Sequence, residues 1–123
     1  MIRSGIMKLA IEEAEKSNCR YKVGAVVFKN SSILSSGHNA KRANSIHPKY
    51  QVWPHSLHAE QAALLGLDWQ RLKNASILVL RLTKAQKLSL AKPCQNCQNL
   101  LAFVGIKKVF YTGRSGEILL DKI

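Results

Sequence analysis

The sequence is short of acidic residues, and this shortage is its clearest compositional feature. Its 123 residues include seven Asp and Glu against nineteen Lys and Arg, which gives a formal net charge of +12. Such a balance favours an anionic partner, either a nucleotide phosphate or a nucleic acid. The basic residues are dispersed along the chain, so a solvated basic surface is an equally open interpretation.

Further absences narrow the class of protein. No apolar run approaches the ~20 residues that a membrane-spanning helix needs, and the N-terminus leads into a charged helical pattern instead of a signal peptide. Only three cysteines are present, and two of them share one short motif, which favours a reducing cytoplasm over a disulfide scaffold. No internal repeat or linker is visible. We therefore expect a single cytoplasmic domain over residues 1–123, with no membrane partner.

Hydrophobic periodicity predicts an alternation of helices and strands. We expect helices over residues 2–16, 57–67 and 93–104, and strands over 22–28, 33–38, 76–82, 108–111 and 117–120. Residues 39–56 are polar and irregular, and residues 83–92 read as a basic loop. Two strand–helix–strand crossovers in this order predict an α/β fold with a mixed sheet.

Two short motifs carry the chemistry of the chain, His58-Ala59-Glu60 and Pro93-Cys94-Gln95-Asn96-Cys97. Imidazole nitrogen and thiolate sulfur are donors that zinc favours, and a catalytic zinc keeps a fourth position open for water. His58, Cys94 and Cys97 therefore predict a Zn²⁺ site with three protein ligands. Glu60 is then placed to move protons to and from the water.

Both motifs are expected at helix starts. Pro93 suits the first helical position, and Cys94 and Cys97 would lie on one face of the first turn, where the positive helix end lowers thiol pKa values. Residues two apart on a regular helix point in nearly opposite directions. His58 and Glu60 can therefore share a site only at a helix start, with Ser56 as the N-cap.

Each motif alone is ambiguous. C-x-x-C also marks redox pairs and structural zinc sites, and an H-x-E tripeptide arises by chance. A closed zinc site would need a fourth protein ligand, for which the candidates are His38, His47 and His55. A redox pair would leave the histidine motif unexplained. The order and spacing of the two motifs favour the catalytic interpretation.

The H-x-E…P-C-x-x-C pattern resembles the zinc-dependent cytidine/deoxycytidylate deaminase superfamily. The resemblance extends to Val23-Gly24-Ala25-Val26-Val27 and Gly37-His38-Asn39, which are similar to the family's V-G-A-V…G-x-N stretch. It implies a three-layer α/β/α cytidine-deaminase-like fold with a central mixed sheet, a Zn²⁺ cofactor and a homo-oligomer. It also implies that Asn39 holds the substrate sugar or base, and that the Ala59 N–H contacts the base carbonyl. A turn residue after a strand is the other interpretation of Asn39.

The implied reaction is hydrolytic deamination of a cytosine nucleoside or nucleotide, such as cytidine, deoxycytidine or dCMP. Zinc lowers the pKa of its bound water towards ~7, and the resulting hydroxide would attack the amine-bearing ring carbon with Glu60 as proton shuttle. The alternative is a nucleic-acid base deaminase that acts on single-stranded DNA or RNA, on cytosine or on adenosine of tRNA. A non-catalytic, zinc-stabilised nucleic-acid-binding module is a third interpretation, although it would not need Glu60.

Two regions bear on the substrate. Tyr50 or Trp53 could stack on a base, although core packing or loop anchoring explains each equally well. Residues 83–92 lie between a strand and Pro93, whereas in many relatives that strand runs almost directly into the cysteine motif. In these deaminases this segment helps to shape the substrate pocket. We therefore expect this chain to differ from those relatives in its substrate.

Overall fold

A mixed β-sheet with helices on both faces organises the chain, which a computed structural model describes over residues 2–41 and 56–123. The helices are α1 (Ser4–Glu15), α2 (Ala59–Leu64), α3 (Trp69–Leu72) and α4 (Gln95–Val104). The strands are β1 (Lys22–Lys29), β2 (Ser32–His38), β3 (Ala40–Lys41), β4 (Ser56–Leu57), β5 (Ser76–Leu82), β6 (Leu88–Ser89), β7 (Lys108–Thr112) and β8 (Ile118–Lys122).

The strand order in the main sheet is β2-β1-β5-β7-β8, and β6 adds a short pairing to β5. The pair of β5 and β7 is parallel, because the chain crosses over between them through α4, and the other pairs are antiparallel. The predicted mixed sheet is therefore confirmed. Strands β3 and β4 form a separate two-stranded ladder.

Each face of the sheet packs on its own hydrophobic cluster. Successive side chains of a strand point to opposite faces, so Ala25 and Val27 of β1 pack with α2 and α4, whereas Val26 and Phe28 pack with α1. Strand β5 divides in the same way, with Val79 on the first face and Leu78 on the second. The three-layer α/β/α prediction is confirmed.

One glycine on each face lets a helix approach the sheet closely. A Cβ at Gly24 would collide with the backbone carbonyl of Ala10 in α1, and a Cβ at Gly37 would lie 2.6 Å from the backbone nitrogen of Ala63 in α2. Both positions lie within the stretches that resemble the deaminase family. The absence of a side chain there sets how close α1 and α2 sit to the sheet.

The structure corrects four local predictions. Ser56 is not the N-cap of α2, because it pairs with Lys41 in the β3–β4 ladder and His58 occupies the cap. Pro93 is not the first helical residue, since Cys94 is the extended N-cap of α4. The α2 helix ends at Leu64, earlier than predicted, because Leu65 has left the helical conformation. Residues 83–92 are not all loop, because Leu88 and Ser89 pair with β5.

Candidate active site

His58, Cys94 and Cys97 meet at the starts of two helices. His58 is the N-cap of α2 and Cys94 is the N-cap of α4, while Cys97 lies in the first turn of α4. The His58 Nδ1 atom is 3.3 Å from the Cys97 Sγ and 3.8 Å from the Cys94 Sγ. The three donor atoms all lie within 4.8 Å of one another. Two segments that are far apart in sequence thus form one group of donors.

The geometry and chemistry of this donor set fit zinc. Tetrahedral zinc with Zn–N and Zn–S bonds of about 2.1 and 2.3 Å places nitrogen and sulfur ligands roughly 3.6 Å apart. The two nitrogen–sulfur distances, 3.3 and 3.8 Å, bracket that separation. Within residues 2–41 and 56–123, no fourth histidine, cysteine or carboxylate joins the cluster. Three ligands with an open position are typical of catalytic zinc sites.

The protonation of the donors depends on burial. Burial lowers the pKa of His58, which favours the neutral imidazole that binds metals. Burial raises the pKa of the Cys97 thiol, and the nearby Glu60 and Cys94 raise it further. This direction is opposite to the lowered thiol pKa that the sequence predicted for Cys97. A coordinated zinc ion would favour the thiolate, because a metal deprotonates a thiol ligand.

Glu60 lies in the first turn of α2, next to the cluster but outside the donor group. Its side chain is buried, with 4% of the residue exposed. Burial raises the pKa of its carboxyl group and outweighs hydrogen bonds that act in the opposite direction. Glu60 thus combines a position beside the donor cluster with a pKa above that of an ordinary glutamate.

A cavity of about 250 Å³ opens over these residues. Its lining consists of Val23, Asn39, His58, Ala59, Glu60, Val79, Leu90, Ala91, Lys92 and Cys94. The sequence predicted six residues as zinc ligands, proton shuttle or substrate contacts. Five of them, all but the buried Cys97, line this cavity. Leu90, Ala91 and Lys92 were missed as individual residues. The signal for them was the segment 83–92, which the sequence marked as the place where the pocket would differ.

Asn39 follows β2 and fastens the start of β1. Its Oδ1 accepts a hydrogen bond from the Val23 N–H at 2.9 Å, and its Nδ2 donates to the Tyr21 carbonyl at 2.6 Å. An amide side chain has two donor hydrogens and two acceptor lone pairs. These two bonds leave one donor hydrogen and one acceptor lone pair for other partners. Asn39 can therefore hold the backbone and also contact a substrate.

The other histidine candidates divide into two groups. His38 is on the opposite face of the sheet, where its Nδ1 forms a 2.9 Å contact with Glu13, so it is not a fourth metal ligand. His47 and His55 lie outside the described residues, as do Tyr50 and Trp53. Their predicted roles stay predictions.

Together, the three-layer fold, the His/Cys/Cys donor set and the neighbouring buried glutamate define a zinc-dependent deaminase. Residues 2–113 match the family profile described as the cytidine and deoxycytidylate deaminase zinc-binding region. The chain therefore belongs to the cytidine and deoxycytidylate deaminase family, and its cofactor is zinc.

Similar proteins agree with this assignment. A deoxycytidylate deaminase of Mycobacterium phage D29 is 30% identical over 126 residues, which cover 87% of this chain and 91% of that protein. The apo dCMP deaminase of cyanophage S-TIM5 is 28% identical, with a TM-score of 0.58 over 91% of this chain and 86% of that one. A cytidine deaminase from Burkholderia pseudomallei shares the fold, with a TM-score of 0.71, 21% identity, and coverage of 99% and 93%.

Within residues 2–41 and 56–123, no helix has both the length and the apolar character needed to cross a membrane.

Proposed function

We propose that the protein catalyses hydrolytic deamination of a cytosine nucleoside or nucleotide. In this proposal His58, Cys94 and Cys97 hold the zinc ion and Glu60 is the catalytic proton shuttle. The observation that carries it is the buried Glu60 carboxyl group beside a three-donor cluster, two of whose members, His58 and Cys94, line the same cavity as Glu60. A structural zinc site has no use for a desolvated carboxyl group at that position, so the non-catalytic binding module is disfavoured.

The chain's own residues account for the proton movements. When bound, zinc lowers the pKa of a coordinated water and so supplies a nucleophile at neutral pH. Glu60 accepts a proton from the attacking water and delivers it to the adjacent ring nitrogen. It then carries the second proton of that water to the exocyclic amine, which leaves as ammonia while the ring carbon becomes a carbonyl. The raised pKa of Glu60 suits a group that must both take and release a proton near neutral pH.

Two further groups would orient the base and sugar. The backbone N–H of Ala59 is the first of α2, and such groups have no partner inside the helix. We assign it to the carbonyl oxygen of the base. The Asn39 amide, which lines the same cavity and has one donor and one acceptor remaining, is assigned to the sugar or base.

Relatives support a nucleotide as the substrate. The phage D29 protein is named a deoxycytidylate deaminase, and the S-TIM5 enzyme has been solved in complex with dCMP and dUMP. The alternative, a deaminase of single-stranded DNA or RNA, is favoured by the net charge of +12. The two candidates therefore differ in how many phosphates the protein contacts.

A substrate panel on purified, zinc-loaded protein tests the proposal. It would contain cytidine, deoxycytidine, their monophosphates, adenosine, a cytosine-containing single-stranded oligonucleotide and tRNA, with product detected by mass spectrometry. We expect conversion of a monomeric cytosine compound, with a shallow dependence of KM on salt because one phosphate at most is neutralised. Conversion of the polymers alone, with a steep salt dependence, would overturn the proposal in favour of nucleic-acid editing.

The homo-oligomer and the cytoplasmic location stay predictions. Apolar side chains are exposed on β8 at Ile118, Leu119 and Leu120 and on α4 at Phe103. Sedimentation equilibrium of the purified protein would test self-association, and a monomer at micromolar concentration would contradict that prediction.

A further inference from the structure

A second cavity, of about 220 Å³, lies at the ends of β1 and β5. It is lined by Arg20, Tyr21, Arg81, Leu82, Thr83 and Lys84. Three of these residues are cations, and none of them is acidic. The sequence marks residues 83–92 as a basic segment and gives no indication of a role for Arg81.

Arg81 is an unusual residue for its place in the fold. It continues the apolar strand β5, and its side chain is half-buried. Its Nε atom is buried without a hydrogen-bond partner, and no ion pair to Arg81 forms within the described parts of the chain. A buried N–H donor without a hydrogen-bond partner is costly, so a ligand that accepts a hydrogen bond from Arg81 would explain this position.

The neighbouring aromatic ring orients the cation. The guanidinium carbon of Arg81 lies 4.1 Å from the centroid of the Tyr21 ring, and that of Arg20 lies 5.6 Å from the same ring. A guanidinium group that stacks on an aromatic face can still donate hydrogen bonds from its edge. A planar fork of donors is the arrangement that binds phosphate with two hydrogen bonds.

The cationic cavity adjoins the candidate active site. Val23 and Val79 line the active-site cavity. Arg81 pairs with Val23 across the sheet and follows Val79 by two residues on the same strand face, about 7 Å further along. Asn39 also joins the two cavities, because its amide holds both the Val23 N–H and the Tyr21 carbonyl.

We propose that Arg81, supported by Arg20 and Lys84, forms a subsite that binds the phosphate attached to the sugar of the substrate. The subsite would make the enzyme select nucleotides over nucleosides. This inference rests on the proposed function, because it takes the cytosine ring to lie beside Glu60. The phosphate can belong to a free monophosphate or to a phosphodiester of a short strand, and the two sources share the same chemistry.

The test compares kcat/KM for dCMP with that for deoxycytidine in the wild type and in Arg81→Gln. We expect the dCMP-to-deoxycytidine ratio to fall roughly 10- to 100-fold in the variant, because a charge-assisted hydrogen bond to the phosphate is lost. The ratio for Arg81→Lys should lie between those of the wild type and Arg81→Gln, since lysine keeps the charge but lacks the planar fork of donors. Arg71→Gln is the matched control, because it removes an exposed arginine in α3 and should leave the ratio unchanged.

Lys92 is the main alternative to Arg81 as the residue that binds the phosphate. It lines the active-site cavity itself, and its Nζ lies 3.9 Å from Asp121. A ratio that falls in Lys92→Met and is unchanged in Arg81→Gln would overturn the proposal and place the phosphate at Lys92. A loss in Arg81→Gln for a short cytosine oligonucleotide, with the dCMP ratio unchanged, would support the subsite and identify a phosphodiester as its ligand.

Binding of product separates this proposal from the proposed function. Calorimetry with dUMP and deoxyuridine measures the phosphate contribution without turnover, and Lys84→Met, at an exposed position, tests the same cavity if Arg81→Gln fails to fold. We expect dUMP to bind more tightly than deoxyuridine and to lose several-fold of that advantage in either variant. Equal affinities in the wild type, with turnover of the oligonucleotide also unchanged by Arg81→Gln, would overturn the subsite even if deamination is observed. Absence of any deamination, with the dUMP preference intact, would overturn the proposed function and leave the subsite supported.

Discussion

The two faces of the sheet each bury a glutamate, and the two residues differ in what surrounds the carboxyl group. On the α1 face, Glu13 is 7% exposed and contacts Ser36 Oγ at 2.8 Å, His38 Nδ1 at 2.9 Å and Lys16 Nζ at 3.2 Å. On the α2 face, Glu60 is 4% exposed and lies beside the thiol of Cys97.

This difference in partners reverses the direction of the pKa shift. Burial alone would raise the pKa of Glu13, but the hydrogen bonds from His38, Ser36 and Lys16 lower it below 4.5. Burial raises the pKa of Glu60, because its remaining hydrogen bonds are insufficient to offset the desolvation. A partnered carboxylate thus fastens α1 to β2, whereas a desolvated one remains available for proton transfer.

The largest effect is expected from removal of a zinc donor. Cys97→Ala takes a buried ligand from the cluster, so we expect the purified protein to lose bound zinc and deaminase activity to fall to background. Cys19→Ala is the matched control, because Cys19 is a free cysteine outside the donor group. Metal analysis and turnover on the same samples decide the matter, and retention of full zinc and activity in Cys97→Ala would exclude the proposed ligand set.

The same substitution on the two faces should have different consequences for catalysis. Gly24→Ala and Gly37→Ala each add a Cβ against a helix backbone, and each should lower the free energy of unfolding by about 1–3 kcal/mol. Gly37→Ala should in addition lower kcat of the folded enzyme by roughly tenfold or more, because α2 carries Glu60 and small displacements of catalytic groups are costly.

Urea unfolding and steady-state kinetics on both variants measure this contrast. Gly5→Ala is the control, since a Cβ there has no neighbour within 4 Å. Equal kcat values for Gly24→Ala and Gly37→Ala would show that the position of α2 does not control the reaction.

Neutralisation of the structural glutamate should affect stability and leave catalysis intact. Glu13→Gln weakens a charged hydrogen-bond network, and we expect a loss of about 1–3 kcal/mol in the free energy of unfolding with kcat of the folded enzyme unchanged. Glu12→Gln, an exposed neighbour in α1, should change the stability by less than about 0.5 kcal/mol. A neutral Glu13→Gln would mean that the network on the α1 face does not hold the helix.

The smallest effect concerns the pH dependence of stability. Because the pKa of Glu13 is lowered in the folded protein, its contribution is present above the ordinary value of 4.5 and is lost as the pH falls through the folded pKa. The stability difference between wild type and Glu13→Gln should therefore be constant near pH 6 and shrink below about pH 4.5. A difference that grows on acidification would mean that the pKa of Glu13 is raised.

Most of the fold and the centre of the site follow from the sequence because they depend on local patterns. Residues 23–28 and Ser76–Leu82 are apolar runs, and the two-residue period of a strand sets which of their side chains face each layer. The donor types and their spacing identify His58, Cys94 and Cys97 as a group before any distance is known. The predicted starts of α2 and α4 are two residues too early, since an N-cap is extended and His58 and Cys94 have no capping signature of their own.

The surroundings of Arg81 and Glu13 could not be predicted, because they depend on contacts between distant segments. Arg81 reads as one charge in an apolar strand until Tyr21 is found under its guanidinium group. Glu13 looks like any surface glutamate of a charged helix until β2 brings Ser36 and His38 to it. The signal for Arg81 is a charge within an apolar strand, and the signal for Glu13 is its position beside Ala10 and Ala14 on the buried stripe of α1.

The most direct test of the account is turnover and zinc content in Glu60→Gln, with Glu13→Gln examined in parallel. Ammonia release from the best substrate of the panel and metal content would be measured on the same purified samples. We expect Glu60→Gln to retain zinc and cooperative unfolding while kcat falls by roughly 10²–10⁴-fold, and Glu13→Gln to retain kcat. Near wild-type turnover in zinc-loaded Glu60→Gln would contradict the assignment of Glu60 as the proton shuttle and, with it, the functional difference between the two faces.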